Sequence, residues 1–249
     1  MKWLLAAVLA AFLVYLIYEQ MNGRTPTGMG PRKRLCDYTA AGSVYEDIPT
    51  ALKRGIRLLE VHVYADERDE PVVATTPQTN GRDFADNNVS FEQVCIDIVN
   101  DAFPSKDPLI LSIVPHTAKS VTLNKVAEHL QTIPRNHLIA ATHITDAPID
   151  RFANKLLIVS GGVKGTELEP LVNLSWDDDD FRRLSYQQAL HPRDPAELRQ
   201  FNTDFISMVV PEPELTTVTV NPTTPLAYGC QWNFFVHDPP GFVEKLSRS

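Results

Sequence analysis

Glu60, His62 and Tyr64 alternate with Leu59, Val61 and Val63. If Leu58–Tyr64 is a strand, the three polar groups share one face, because successive side chains on a strand point to opposite sides. His116 lies just beyond a second apolar run, Leu109–Val114, two residues from Val114 and on the same parity. A carboxylate and two imidazoles brought together could serve as base and acid, or as ligands for a transition metal. The plainer alternative is a set of hydrogen-bonded fillers with no chemistry of their own, since polar clusters also form structural networks. The residues alone leave both open.

The elements that would position these groups alternate along the chain. Leu58–Tyr64, Leu109–Val114, Leu156–Ser160, Phe205–Val210 and Gln231–Val236 read as strands. Ser90–Phe103 reads as an amphipathic helix opening on a serine cap, and Leu123–Leu130 as another helix. Strands separated by helical patterns imply a parallel sheet, open or closed. Cys95 falls at helical spacing with Phe91, Val94, Ile98 and Val99, which makes it a core residue. Three scattered cysteines, Cys36, Cys95 and Cys230, form neither a disulfide framework nor a zinc site. The acidic run Asp177–Asp180 with Arg182 and Arg183 reads as a solvated loop or helix start.

A formal net charge of -8 over 249 residues excludes nucleic acid as a natural partner, because phosphate backbones demand clustered Lys and Arg. It also argues against broad electrostatic adhesion to anionic lipid. Contact with a membrane is expected from a different feature. From Trp3 to Tyr18 there are sixteen consecutive uncharged residues, about 24 Å long as a helix. No polar face breaks the run and no small-x-small cleavage site follows it. The expectation is therefore an uncleaved single-pass anchor over residues 1–21 instead of a signal peptide. A Gly/Pro/Thr-rich linker is expected over 22–34, and one domain over 35–249. Topology is left open. Arg24, Arg32, Lys33 and Arg34 favour a cytoplasmic body, whereas the sequons at Asn88 and Asn173 pull the other way.

Ordered motifs take the reading further. Ala51-Leu52-Lys53-Arg54-Gly55-Ile56-Arg57-Leu58-Leu59-Glu60-Val61-His62-Val63-Tyr64 resembles the signature strand of the phosphatidylinositol-specific phospholipase C family, and Glu70-Pro71-Val72-Val73 its E-P-V-V segment. Asp107–Ile113, Asn154–Gly161, Asn221-Pro222 with Gly229–Asn233, and Gly241–Leu246 resemble later family segments in order. The resemblance implies a distorted TIM-type (β/α)8 barrel whose site lies at the C-terminal mouth of the strands. The family activity it implies is phosphodiester cleavage by two histidines, with calcium held by Asn, Glu, Asp and Glu.

Measured against that pattern, this chain loses most of the chemistry. Gly42 stands at the first histidine and Ser43 at the metal-binding Asn. The second histidine belongs after Val73, where the chain reads Ala74-Thr75-Thr76-Pro77, and no histidine occurs between His62 and His116. Glu60 keeps one calcium-ligand position, but His62 replaces the Asp and Val114 the remaining Glu. Ser160 or Gly161 stands at the phosphate-binding Lys, with Lys164 near enough to compensate, and Met208 and Val210 replace the Arg-x-Tyr pair that grips the inositol. The expectation is a membrane-anchored, catalytically inactive barrel acting as a structural or interaction module with an unknown protein partner, and with no cofactor unless a calcium site survives. The alternative is a phosphoric diester hydrolase rewired around Glu60, His62 and His116. Lipid recognition without turnover is disfavoured by the losses at Ser160, Met208 and Val210.

Overall fold

The computed structural model describes residues 33–43, 47–74, 89–140, 143–211, 223–234 and 242–244. The chain enters through Arg34 and a 3-10 turn at Leu35–Asp37, then runs β1 (Tyr38–Ser43), α1 (Ile48–Lys53), β2 (Leu58–Ala65), β3 (Pro71–Ala74), β4 (Val89–Ser90), α2 (Phe91–Asp101) and β5 (Leu109–Pro115). It continues through α3 (Ser120–Gln131), β6 (Leu156–Ser160), β7 (Leu174–Ser175), β8 (Phe181–Ser185), α4 (Tyr186–Leu190), α5 (Pro195–Asp204), β9 (Ile206–Val210), α6 (Thr223–Ala227), β10 (Trp232–Asn233) and β11 (Phe242–Glu244).

The sheet order is β7-β6-β5-β2-β1-β10-β9-β8. Every neighbouring pair on that path is parallel. Each strand thus lies beside the next in the chain, and the two ends, β7 and β8, are themselves consecutive. The result is a nearly closed parallel α/β barrel of the TIM type. The antiparallel β3 and β4 extend from β2, and β11 pairs antiparallel with β1.

Both faces of the central strands are buried, which explains their near-continuous apolar runs. Leu59, Val61, Val63, Leu109, Leu111, Ile113, Leu156 and Ile158 point outward and pack with α1, α2 and α3 in one core. On the opposite parity Tyr38, Leu58, Ile110, Leu157, Phe181, Ile206, Met208, Val210, Trp232 and Phe234 form a second core that fills the barrel. Sealing one such Leu or Phe from water is worth about 1.5–3 kcal/mol. The helices start where the sequence caps them. Ser90 Oγ accepts from Gln93 N, and Asp194 accepts from Ala196 N and Glu197 N with Pro195 in the first turn.

Four expectations are refined. The strand at Leu58 runs to Ala65 and that at Leu109 to Pro115, while the described part of the last strand is Trp232–Asn233. The acidic run is indeed a loop, but Arg182 and Arg183 belong to β8 and not to a loop or helix start. Asn173 is buried, accepts from Ile158 N and donates to Ile139 O, so in the folded chain that sequon is a structural pin. Lys33 and Arg34, assigned to the linker, are held on the fold. Lys33 O accepts from Ile149 N, and Arg34 donates to Asp37, Asp204 and Thr203 O. Among the described residues no helix is long and apolar enough to cross a membrane. The Trp3–Tyr18 run lies outside them.

Candidate functional site

The polar groups singled out by spacing meet. Parallel pairing of β2 with β5 sets Glu60 opposite Ser112 and His62 opposite Val114. Just past the end of β5, His116 N donates to Val63 O over 2.7 Å, which holds its ring beside β2. His62 Nε2 lies 3.3 Å from Glu60 Oε1, and His62 Nδ1 lies 2.7 Å from His116 Nε2. The two imidazoles have centroids 5.0 Å apart at an interplanar angle of 25°, and Tyr64 stacks on His116 at 4.4 Å. With Glu60 ionised and the pair neutral, the geometry fixes the tautomers. His62 donates from Nε2 to the carboxylate, and its Nδ1 accepts from His116 Nε2–H.

Two further residues complete the cluster, and spacing did not reveal them. Ser112 Oγ donates to Glu60 Oε2 over 3.0 Å. Arg183 reaches across the barrel from β8 and donates from Nη2 to Glu60 Oε1 over 2.9 Å and from Nε to Oε2 over 3.3 Å. Its guanidinium lies 5.5 Å from the Trp176 ring centroid. The Glu60 side chain is 2% exposed and that of Arg183 25%. Burial pushes the Glu60 carboxyl up, but the His62 hydrogen bond and the Arg183 charge and donors outweigh it, leaving the group below its ordinary range. His116 moves below the usual imidazole value because of burial, then the neighbouring His62 and Arg183, with Glu60 opposing.

The positions that the family resemblance assigns to chemistry fare differently. A Cβ placed on Gly42 would lie 2.5 Å from Cδ1 of Phe234 and 2.9 Å from Cγ of Leu58, so the space before the first-histidine position is filled by an aromatic ring. Of Ala74-Thr75-Thr76-Pro77, expected at the second histidine's place, Ala74 ends β3 and the other three lie outside the described residues. Ser160 is buried and donates to Ile113 O over 2.8 Å. Lys164 is exposed and lines a different crevice, with His143, Asp177, Asp178 and Asp180. Met208 and Val210 are buried on the interior face of β9.

Calcium, the metal the family resemblance implies, does not fit this donor set. Calcium binds six to eight oxygens. Here each Glu60 oxygen already faces two donors, His62 and Arg183 on Oε1 and Ser112 and Arg183 on Oε2. Val114 supplies no oxygen. Among the described residues, no group of three or more His, Cys, Asp or Glu is arranged to hold a metal ion.

Eight parallel strands in chain order around an apolar interior, with a polar cluster toward their C-terminal ends, define a TIM-type α/β barrel. Residues 36–157 match the phosphatidylinositol-specific phospholipase C X domain, so over that stretch the chain is similar to this family. No curated protein matches the chain by sequence. The fold is similar to the crystal structure of L. pealei PLC21 (TM-score 0.65, 16% identity, 88% of this chain) and to that of S. officinalis PLC21 (0.68, 17%, 92%). The chain spans 35% and 38% of those two proteins. It is also similar to the calcium-dependent phosphoinositol-specific phospholipase C of a Pseudomonas sp. (TM-score 0.63, 11% identity), covering 91% of this chain and 99% of that one. At these identities the likeness establishes the fold.

Proposed function

We propose that this chain is a phospholipase C-like barrel that has lost phosphodiester hydrolysis and serves as a structural or interaction module, tethered to a membrane by the apolar run Trp3–Tyr18. The observation that carries the reading is the Phe234 ring packed against Gly42, which leaves no room for an imidazole at the first-histidine position. The apolar Met208 and Val210, where an inositol-binding pair is expected, support it. The purified chain, offered phosphatidylinositol vesicles with calcium and with a chelator, is expected to release no inositol phosphate. The tether is checked by fractionation, in which the full chain partitions with detergent and a chain starting at Lys33 stays in the aqueous phase.

One observation favours a second reading. Glu60, His62 and His116 form a continuous carboxylate–imidazole–imidazole chain, an arrangement able to orient a base at the mouth. A phosphoric diester hydrolase rewired around these three residues would turn over substrate and lose that turnover in His62→Ala or His116→Ala. Such a result overturns the first reading.

A further inference from the structure

We infer that Arg183 is a built-in counter-cation, so that the barrel carries its own fixed positive charge against Glu60 and is indifferent to calcium. The inference concerns what neutralises the mouth, and it stands whether the barrel is inactive or rewired.

An ionised carboxylate is costly to bury. Glu60 sits on the interior face of β2 with its side chain 2% exposed, between Ser112 on β5 and Arg183 on β8. A buried carboxylate is retained only with a partner of opposite charge and with its lone pairs occupied. A metal would meet the charge requirement but would also need other oxygens around it. The neighbouring positions offer an imidazole at His62, whose Nε2 faces the carboxylate as a donor, and a methyl-bearing side chain at Val114. Neither adds an oxygen. A guanidinium meets both needs at once, because its planar fork supplies charge and parallel N–H donors to the two oxygens. Arg183 does this from the far side of the barrel, 123 residues along the chain, at 2.9 and 3.3 Å.

The strand places the guanidinium with purpose. Phe181 and Arg183 share the inward parity of β8, while Arg182 on the outward parity forms a bidentate pair with Glu197 and lies over the Phe201 ring. Two adjacent arginines thus face opposite environments, and only the inward one meets Glu60. For calcium to reach Glu60 it would have to displace the Arg183 donors and the Ser112 hydroxyl together.

The test is thermal unfolding of the full chain in chelator and in millimolar calcium, with terbium luminescence as a direct probe of an oxygen-rich metal site. Wild type is expected to show the same midpoint in both conditions and no terbium signal that Glu60→Gln removes. Arg183→Gln and Glu60→Gln should each lower the midpoint, and the double variant should recover part of the summed loss, since it removes both charges. Should Arg183→Gln fail to fold, Arg183→Lys takes its place. It keeps the charge without the fork and should fall between wild type and Glu60→Gln. A calcium-dependent rise in the wild-type midpoint that Glu60→Gln abolishes would overturn the inference, as would strictly additive losses. Calcium-independent turnover would overturn the inactive reading while leaving this one intact.

Discussion

The two halves of the barrel are held together by different means. From β1 to β6, strands of up to eight residues pair over as many as six register positions and carry α2 and α3, of eleven and twelve residues, on one large apolar core. From β7 to β10, among the described residues, strands of two or five residues carry helices of five or ten, and the outer core comprises Tyr186, Ala189, Leu198, Val209 and Cys230. Side-chain polar pins compensate there. Gln231 donates to the carbonyls of Cys36, Asn202 and Phe205 and accepts from Ser207 N, all in the interior. Arg183 reaches back to Glu60, and Arg34 to Asp204. The first half is secured by packing of its own layers, and the second by specific side-chain bonds, both within itself and back to the first.

That contrast can be broken most severely at Trp232, which is fully buried among the interior residues of both halves. Trp232→Ala is expected to cost about 3–5 kcal/mol in urea unfolding, with one cooperative transition. Two transitions would mean that the halves fold separately. Gln231→Leu comes next, at about 2–3 kcal/mol, because it strands three carbonyls and an amide in the interior. Hydrogen exchange should then speed up in α5, β9 and β10 while β2 and β5 keep their protection, and uniform acceleration would erase the distinction between the halves. Gly42→His should cost about 1–3 kcal/mol by overpacking against Phe234 and restore no phospholipase activity. A functional Gly42→His would show that Phe234 yields. The shallowest effect is with pH. The folded carboxyl of Glu60 lies below its unfolded value, so its contribution is complete above about pH 4.3 and is lost as pH falls through the folded value. The acid limb of the stability curve should flatten in Glu60→Gln, and an unchanged limb would remove Glu60 from the account.

Much of this was readable from the residues. Alternation in Leu58–Tyr64 placed Glu60, His62 and Tyr64 on one face, and parity across Leu109–Val114 brought His116 to them, because period two survives wherever strands are long. What escaped detection lies in the second half, where strands are short. Phe181-Arg182-Arg183-Leu184-Ser185 has a charge on its inward parity, so after four aspartates it reads as surface. Its partner is 123 residues away, and no local pattern announces such a pairing. Phe234 was missed for a similar reason. Its role depends on what Gly42 lacks, and the two are adjacent only after β1 and β10 pair. The cap at α5 carried a usable signal in Asp194-Pro195, since an acceptor followed by proline at the first helical position marks a helix start.

Arg34 fastens the chain at the end of the barrel opposite the polar mouth. It precedes β1, bridges Pro148 and grips Asp204 just before β9, whereas His116 follows the C-terminal end of β5. Any tension arriving along the chain from before residue 33 therefore enters at the heel of the barrel and is shared at once between β1 and the approach to β9. A pull from that side would leave the mouth, with the part-buried His62 and the exposed His116, at the end of the barrel away from it.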